Sequence, residues 1–349
     1  MQGAAMKASQ FPRLTLLILL ASCLATLNAA TATYTVKDLG TLGGTFSEGT
    51  GINDTLQIVG SSGETGGTIS VGAFLDSGGK MTGLGTLGGK YSLAEAINSS
   101  GEVVGYTTLA TNSYAAFAYI RGEMTNIGNL GANYAAAYGV NASGQIVGAS
   151  ETASGLSHAF LYSAGKMTDL GTLGGNQPGW STIAYGINDS GTIVGYSYLS
   201  DGNFRGFSYT NGVMAALGTF GGDWSQAFAI NGAGQITGTA YTKANAGAHA
   251  FLLTSGTMKD LGALAAPYSM GYSVNSSGVV VGQSTVKSSS ENLVYHAFIY
   301  SNGKMQDLNS LIPKSSGWVL TQATGINDSG YIVGTGTING NEHAFLLTP

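Results

Sequence analysis

Between residue 34 and residue 349 the chain runs through the same pattern seven times, and this limits its fold more than any single motif does. An apolar residue followed by Asn recurs at Asn53, Asn98, Asn141, Asn188, Asn231, Asn275 and Asn327. A Phe at the end of His-Ala-Phe, or of a weakened version of it, recurs at Phe74, Phe117, Phe160, Phe207, Phe251, Phe298 and Phe345. A Gly closing a short β-rich run, Ile-Val-Gly in its commonest form, recurs at Gly60, Gly105, Gly148, Gly195, Gly238, Gly282 and Gly334. Each unit reads as four short strands. In the clearest copies these are Tyr185–Asn188, Thr192–Tyr196, His158–Tyr162 and Lys166–Leu170, with Asn-Asp-Ser-Gly joining the first to the second. Four strands in some 44 residues predict a β-propeller blade; solenoid repeats are shorter, and no 3.6-residue period supports a helical array.

The phase of the pattern makes the expectation sharper. Residues 34–39 (Tyr-Thr-Val-Lys-Asp-Leu) match a fourth strand, and 343–347 (His-Ala-Phe-Leu-Leu) match a third with none after it. We therefore expect an all-β, seven-bladed propeller of four-stranded blades. Strand 34–39 would lie outermost beside the strands of 322–347, closing the ring and removing a free sheet edge.

Residues 1–30 stand apart. Lys7 and Arg13 precede the apolar run Leu14–Leu20, and small residues follow near Ala29–Ala32, as in a secretory signal too short to span a bilayer stably. Two processing routes fit. Leu20-Ala-Ser-Cys23 matches a lipoprotein signal that would leave Cys23 lipidated, whereas the apolar continuation Leu24–Leu27 favours cleavage beyond it and free secretion. Residues 31–349 then form one propeller domain, secreted or, on the first route, held at the cell surface. Cys23 is the only cysteine, so this domain has no disulfide, thiolate metal site or cysteine nucleophile. Without Lys7 and Arg13 it carries 11 basic and 18 acidic residues, a net charge of −7, which argues against nucleic-acid binding.

Departures from the repeat show where special roles could lie. Leu56 replaces the turn Gly of the other copies, and a Leu at positive φ is costly, so a different turn is expected there. The longest loop, Ser284–Tyr295, carries Lys287 and Glu291 and is the expected mobile one. After each Gly-rich crossover comes an aromatic residue: Phe46, Tyr91, Tyr134, Trp180, Trp224, Tyr268 and Trp318. Such rings either plug the blade junctions or stack on sugar rings, and the Trp-bearing copies are the better candidates for stacking.

The combination of His-Ala-Phe-Leu-Tyr, Lys-Met-Thr-Asp-Leu-Gly-Thr-Leu-Gly-Gly and Ile-Asn-Asp-Ser-Gly-x-Ile-Val-Gly resembles the bacterial extracellular HAF-repeat proteins, over the whole of the chain beyond residue 33. The resemblance implies export and a repeat β architecture, and carries no reaction or catalytic residues. Arg205-Gly-Phe207 and Ala115-Ala-Phe117 depart from its motif.

The chemistry-bearing residues mostly read as structural. His158, His249, His296 and His343 share one repeat position, so symmetry keeps them apart, and no histidine lies elsewhere for a Ser-His-Asp arrangement. Asp38, Asp169, Asp260 and Asp307 share another, where a carboxylate accepts N–H bonds from the crossover; they lack calcium-loop spacing. Asn-x-Ser/Thr at the turns reflects turn preference rather than glycosylation. The Asn-Asp-Ser-Gly hairpin is similar to the Asp-box turn of some glycosidase propellers but lacks its closing Trp. Asp201, Asp223 and Glu291 are loop carboxylates without an evident partner.

The expected function is therefore a binding or surface-interaction module needing no cofactor or metal. Its partner would be a carbohydrate or a cell-envelope protein, met through Trp180, Trp224, Trp318, Tyr91, Tyr134, Tyr268 or Phe46. A polysaccharide-acting enzyme with its site in the propeller funnel is the rival, and a purely structural surface protein is the third reading.

Overall fold

The computed structural model describes residues 34–265, 267–288 and 293–349. The expected export segment 1–30 with Cys23, and Glu291 of the longest loop, lie outside the described residues. The described chain is all-β, with 28 strands and three short 3-10 turns. Among the described residues no helix is long and apolar enough to cross a membrane.

The strands fall into seven antiparallel groups of four. Three of these merge into one continuous sheet only through single parallel contacts, Val71 with Tyr91 and Tyr114 with Tyr134. In six groups the four strands are consecutive, as in Gly131–Val140, Ile146–Thr152, Ser157–Ser163 and Lys166–Asp169. The seventh joins the two ends of the pattern. Thr35–Asp38 pairs antiparallel with Asn341–Thr348, which pairs with Ile332–Ile338 and then Val319–Ile326.

The repeated Phe explains how the groups pack. All seven are fully buried, and each apolar cluster draws on two neighbouring groups. Val59, Ala73 and Leu84 of the first group pack with Ala94, Val103 and Phe117 of the second. In the same way Ile58 and Phe74 of the first pack with Val333 and Ala344 of the seventh. Each buried Phe contributes on the order of 1.5–3 kcal/mol, so the seven supply a large share of the cohesion between groups.

The repeated Gly has a different cause. In every group the first strand slips register against the second just before its Asn, as between Gly49 and Gly51 or Ala184 and Gly186. The slip is a β-bulge, with one extra residue on the first strand. Opposite it, a Cβ on Gly195 would overlap the carbonyl oxygen of Ile183, and one on Gly148 would overlap that of Ala136 and press on the Phe160 ring. Only Gly fits beneath the bulge.

The repeated Asn does more than make a turn. Its Oδ1 accepts backbone N–H bonds from the hairpin, as Asn53 does from Thr55 and Gln57 at 3.1 and 3.0 Å. Its Nδ2 donates to the carbonyl oxygen of the next repeat's Asn: Asn53 to Asn98 at 3.1 Å, Asn98 to Asn141 at 3.0 Å, Asn141 to Asn188 at 3.1 Å, and Asn188 to Asn231 at 3.2 Å. Asn231 then reaches Asn275 at 2.8 Å, Asn275 reaches Asn327 at 3.3 Å, and Asn327 returns to Asn53 at 3.2 Å. All seven side chains are buried, so each amide must find these partners within the protein.

This circuit corrects the expectation for Leu56. The hairpin keeps the shared turn, with Leu56 N–H donating to the Asn53 carbonyl at 3.1 Å and Leu56 held at φ 60°. The bonds that Asn53 makes to the turn and to Asn98 outweigh the roughly 1–2 kcal/mol strain of a left-handed Leu.

Candidate functional site

The bulges aim one residue per repeat, three before the Asn, into one cavity of about 280 Å³. Thr324, Thr50 and Glu95 come from three successive groups, and Tyr138, Tyr185, Phe228 and Tyr272 from the other four. Seven equivalent positions thus line one cavity unequally, four of them as an aromatic arc and three as a short polar one. Adjacent rings of the arc lie 5.3 Å apart for Tyr138–Tyr185 and 5.5 Å for both Tyr185–Phe228 and Phe228–Tyr272. Their planes tilt by 57–58°, so they form a curved wall rather than a stack.

The polar arc is partly committed to holding the fold. The Thr50 hydroxyl donates to the Ala94 carbonyl at 2.8 Å, and that of Thr324 donates to the Gly49 carbonyl at 2.6 Å. Glu95 is different. Removal from water, with the added negative charge of Glu48, pushes its carboxyl up to about 7. Burial also raises Glu48, with a further push from Glu342. Desolvation lifts the phenols of Tyr138, Tyr185 and Tyr272, which stay protonated. On the face formed by the Asn turns, Asp189 accepts from Ala142 N–H at 2.9 Å, Asp328 from Ser276 N–H at 2.8 Å, and Asp54 from Asp328 N–H at 3.0 Å.

The rim aromatics do not behave as one set. Trp318 is 8% exposed and packs edge-on against Phe345, which corrects its candidacy: no ring face is left for a ligand. Trp224 sits between Phe204 at 5.1 Å and Tyr241 at 3.8 Å and is held by packing. Phe46 lies half-buried over Gly63, Tyr268 is half-buried, and Tyr91 is 43% exposed. Trp180 and Tyr134 come together. They line a cleft of about 240 Å³ between the third and fourth groups, with Glu151, Ser157 and Ser181 beside them. Tyr198 stacks on Trp180 at 5.3 Å and 13°, fixing its ring.

The histidines and aspartates of the repeat pair with each other. His158 Nδ1 lies 2.8 Å from Asp169 and His249 Nδ1 2.9 Å from Asp260. His296 lies 2.7 Å from Asp307 and His343 2.9 Å from Asp38. Each Asp also accepts a crossover N–H, as from Gly171 to Asp169 at 2.7 Å. The three remaining repeats replace both members together: Gly72 with Gly83, Ala115 with Asn126, and Arg205 with Ala216. Among the described residues no group of three or more His, Cys, Asp or Glu could hold a metal ion.

Sequence reasoning missed Glu48 and Glu95. The available signal was an acid on a first strand at positions where most other copies are apolar or aromatic.

No protein-family model matches the chain, and no curated protein does. Solved structures similar to it include a puromycin-hydrolyzing peptidase from Mycobacterium tuberculosis, 12% identical over 88% of this chain and 53% of that one, with TM-score 0.52. The β-propeller domain of the Trilobed protease from Pyrococcus furiosus is 12% identical over 72% of this chain and 80% of that one, with TM-score 0.49. TolB from Acinetobacter baumannii is 14% identical over 71% of this chain and 61% of that one, with TM-score 0.48. The chain thus spans about three fifths of TolB and about half of the peptidase. At such identities the likeness is one of all-β fold.

Proposed function

We propose that the chain is an exported seven-bladed β-propeller of the HAF-repeat type that binds carbohydrate at the rim cleft between its third and fourth blades. The circuit of seven Asn side chains and the pairing of Thr35–Asp38 with Asn341–Thr348 support a closed ring of blades. The observation that carries the binding reading is the cleft itself. Trp180, fixed from one side by Tyr198, and Tyr134 supply aromatic surface, and Glu151, Ser157 and Ser181 supply groups for sugar hydroxyls.

The test is a polysaccharide and glycan array probed with the full chain, Trp180→Ala and Glu151→Gln. Binding lost in both variants, with unchanged thermal unfolding, supports the cleft. Binding by neither the chain nor the variants ends the carbohydrate reading, and binding unchanged in Trp180→Ala moves the ligand elsewhere.

A further inference from the structure

We propose that the central channel is a second binding site, for a small organic cation of the quaternary-ammonium class, held between the aromatic arc of Tyr138, Tyr185, Phe228 and Tyr272 and the carboxylate of Glu95. Three features of the channel select this class. First, the curved wall of tilted rings surrounds one side of a cavity of about 280 Å³, and ring faces attract a desolvated cation without asking it for hydrogen bonds. Second, among the described residues Glu95 is the one carboxylate lining the cavity, and it comes from the group next to that of Tyr138, at one end of that wall. Third, the Thr50 and Thr324 hydroxyls already donate to backbone carbonyls, the Tyr138 hydroxyl pairs with that of Tyr134 at 3.3 Å and the Tyr272 hydroxyl donates to the Met270 sulfur at 3.4 Å, which leaves few polar partners for a sugar.

Other cations fit less well. A metal ion such as Ca²⁺ requires six to eight oxygen ligands, and the cavity offers one carboxylate. A primary ammonium stripped of its water needs three hydrogen-bond acceptors, whereas an alkylated ammonium needs only charge and apolar surface. The cost of burying Glu95 beside Glu48 also gains a purpose, because a bound cation supplies the opposite charge that the fold leaves out. The two sites share no lining residue, although the Tyr134 and Tyr138 hydroxyls lie 3.3 Å apart between them, so each is tested by a variant of its own, Trp180→Ala for the cleft and Glu95→Gln for the channel.

The experiment is isothermal titration of the full chain with choline and with its uncharged isostere 3,3-dimethylbutan-1-ol. Choline is expected to bind one to one, and the neutral alcohol at least about tenfold more weakly. Glu95→Gln and Tyr185→Leu, both close in volume to the parent residues, should each weaken choline by about tenfold or more. Trp180→Ala should leave it unchanged, with circular dichroism confirming that each variant is folded. Three results would overturn the proposal: no heat with millimolar choline, equal affinity for the alcohol, or full affinity in Glu95→Gln.

Discussion

The side-chain amide of Asn327 donates to the carbonyl oxygen of Asn53 at 3.2 Å, across 274 residues of sequence. Both residues are buried, so the bond between them has no competitor from water. Replacing Asn327 by Asp removes the donor, faces the Asn53 carbonyl with a negative charge and buries that charge. Asn327→Asp should therefore lose about 2–4 kcal/mol in urea unfolding at pH 7. Part of the loss should return at acid pH, where the new carboxyl regains a proton to donate. An unchanged midpoint would mean that the circuit contributes nothing to stability.

The bulge makes a sharper demand on Gly195. Gly195→Ala sets a methyl group against the Ile183 carbonyl, and the chain should lose about 3 kcal/mol or more or fail to fold. Gly218→Ala is the control: no atom lies within 4 Å of its would-be Cβ and its φ is ordinary, so its midpoint should move by less than about 0.5 kcal/mol. Equal effects at the two sites would count against the bulge as the cause.

Glu95 makes stability depend on pH. An exposed glutamate ionises near 4.5, and in the fold this carboxyl does so only near 7. Between those values the folded chain holds more protons than the unfolded one, so stability falls as pH rises through that window and levels off above it. Glu95→Gln should be more stable than the parent at pH 8 by about 1–3 kcal/mol and equal to it at pH 4. Thermal melts at the two pH values decide the matter, and a difference independent of pH would remove Glu95 as the source.

At Leu56 the chain tolerates a left-handed φ of 60° that Gly holds elsewhere. Leu56→Gly relieves that strain at some cost in unfolded-state entropy, for a net gain of about 0.5–1 kcal/mol. A lower unfolding midpoint in this variant would show that Leu56 packing outweighs its backbone strain.

Much of the fold was legible because the chain states it seven times. Phe160, Gly195 and Asn188 each stand in a column of relatives, and the pairing of residues 34–39 with the last strand followed from the phase alone. The channel was not legible in the same way. A bulge leaves no mark in an alternating pattern, so Tyr138 and Glu95 read as ordinary strand residues until the register slip turned them inward. Contact between repeats was equally hidden. In sequence Trp224 and Trp318 stand as aromatics after the same crossover as Trp180, and it is the packing of Tyr241 and Phe345 against them that sets them apart. The His–Asp pairs could have been read, since His158 and Asp169 appear together and both are replaced together, by Arg205 and Ala216, in another repeat.

The bulge also divides labour within each repeat. The Gly opposite it on the second strand and the Asn beyond it are fixed by geometry, while the residue three before that Asn is Thr, Glu, Tyr or Phe in the same chain. That position works like an interchangeable tooth on a rigid gear. Seven such teeth line one cavity, so a lineage, or a combinatorial library, could respell the lining while leaving the machinery that holds it untouched.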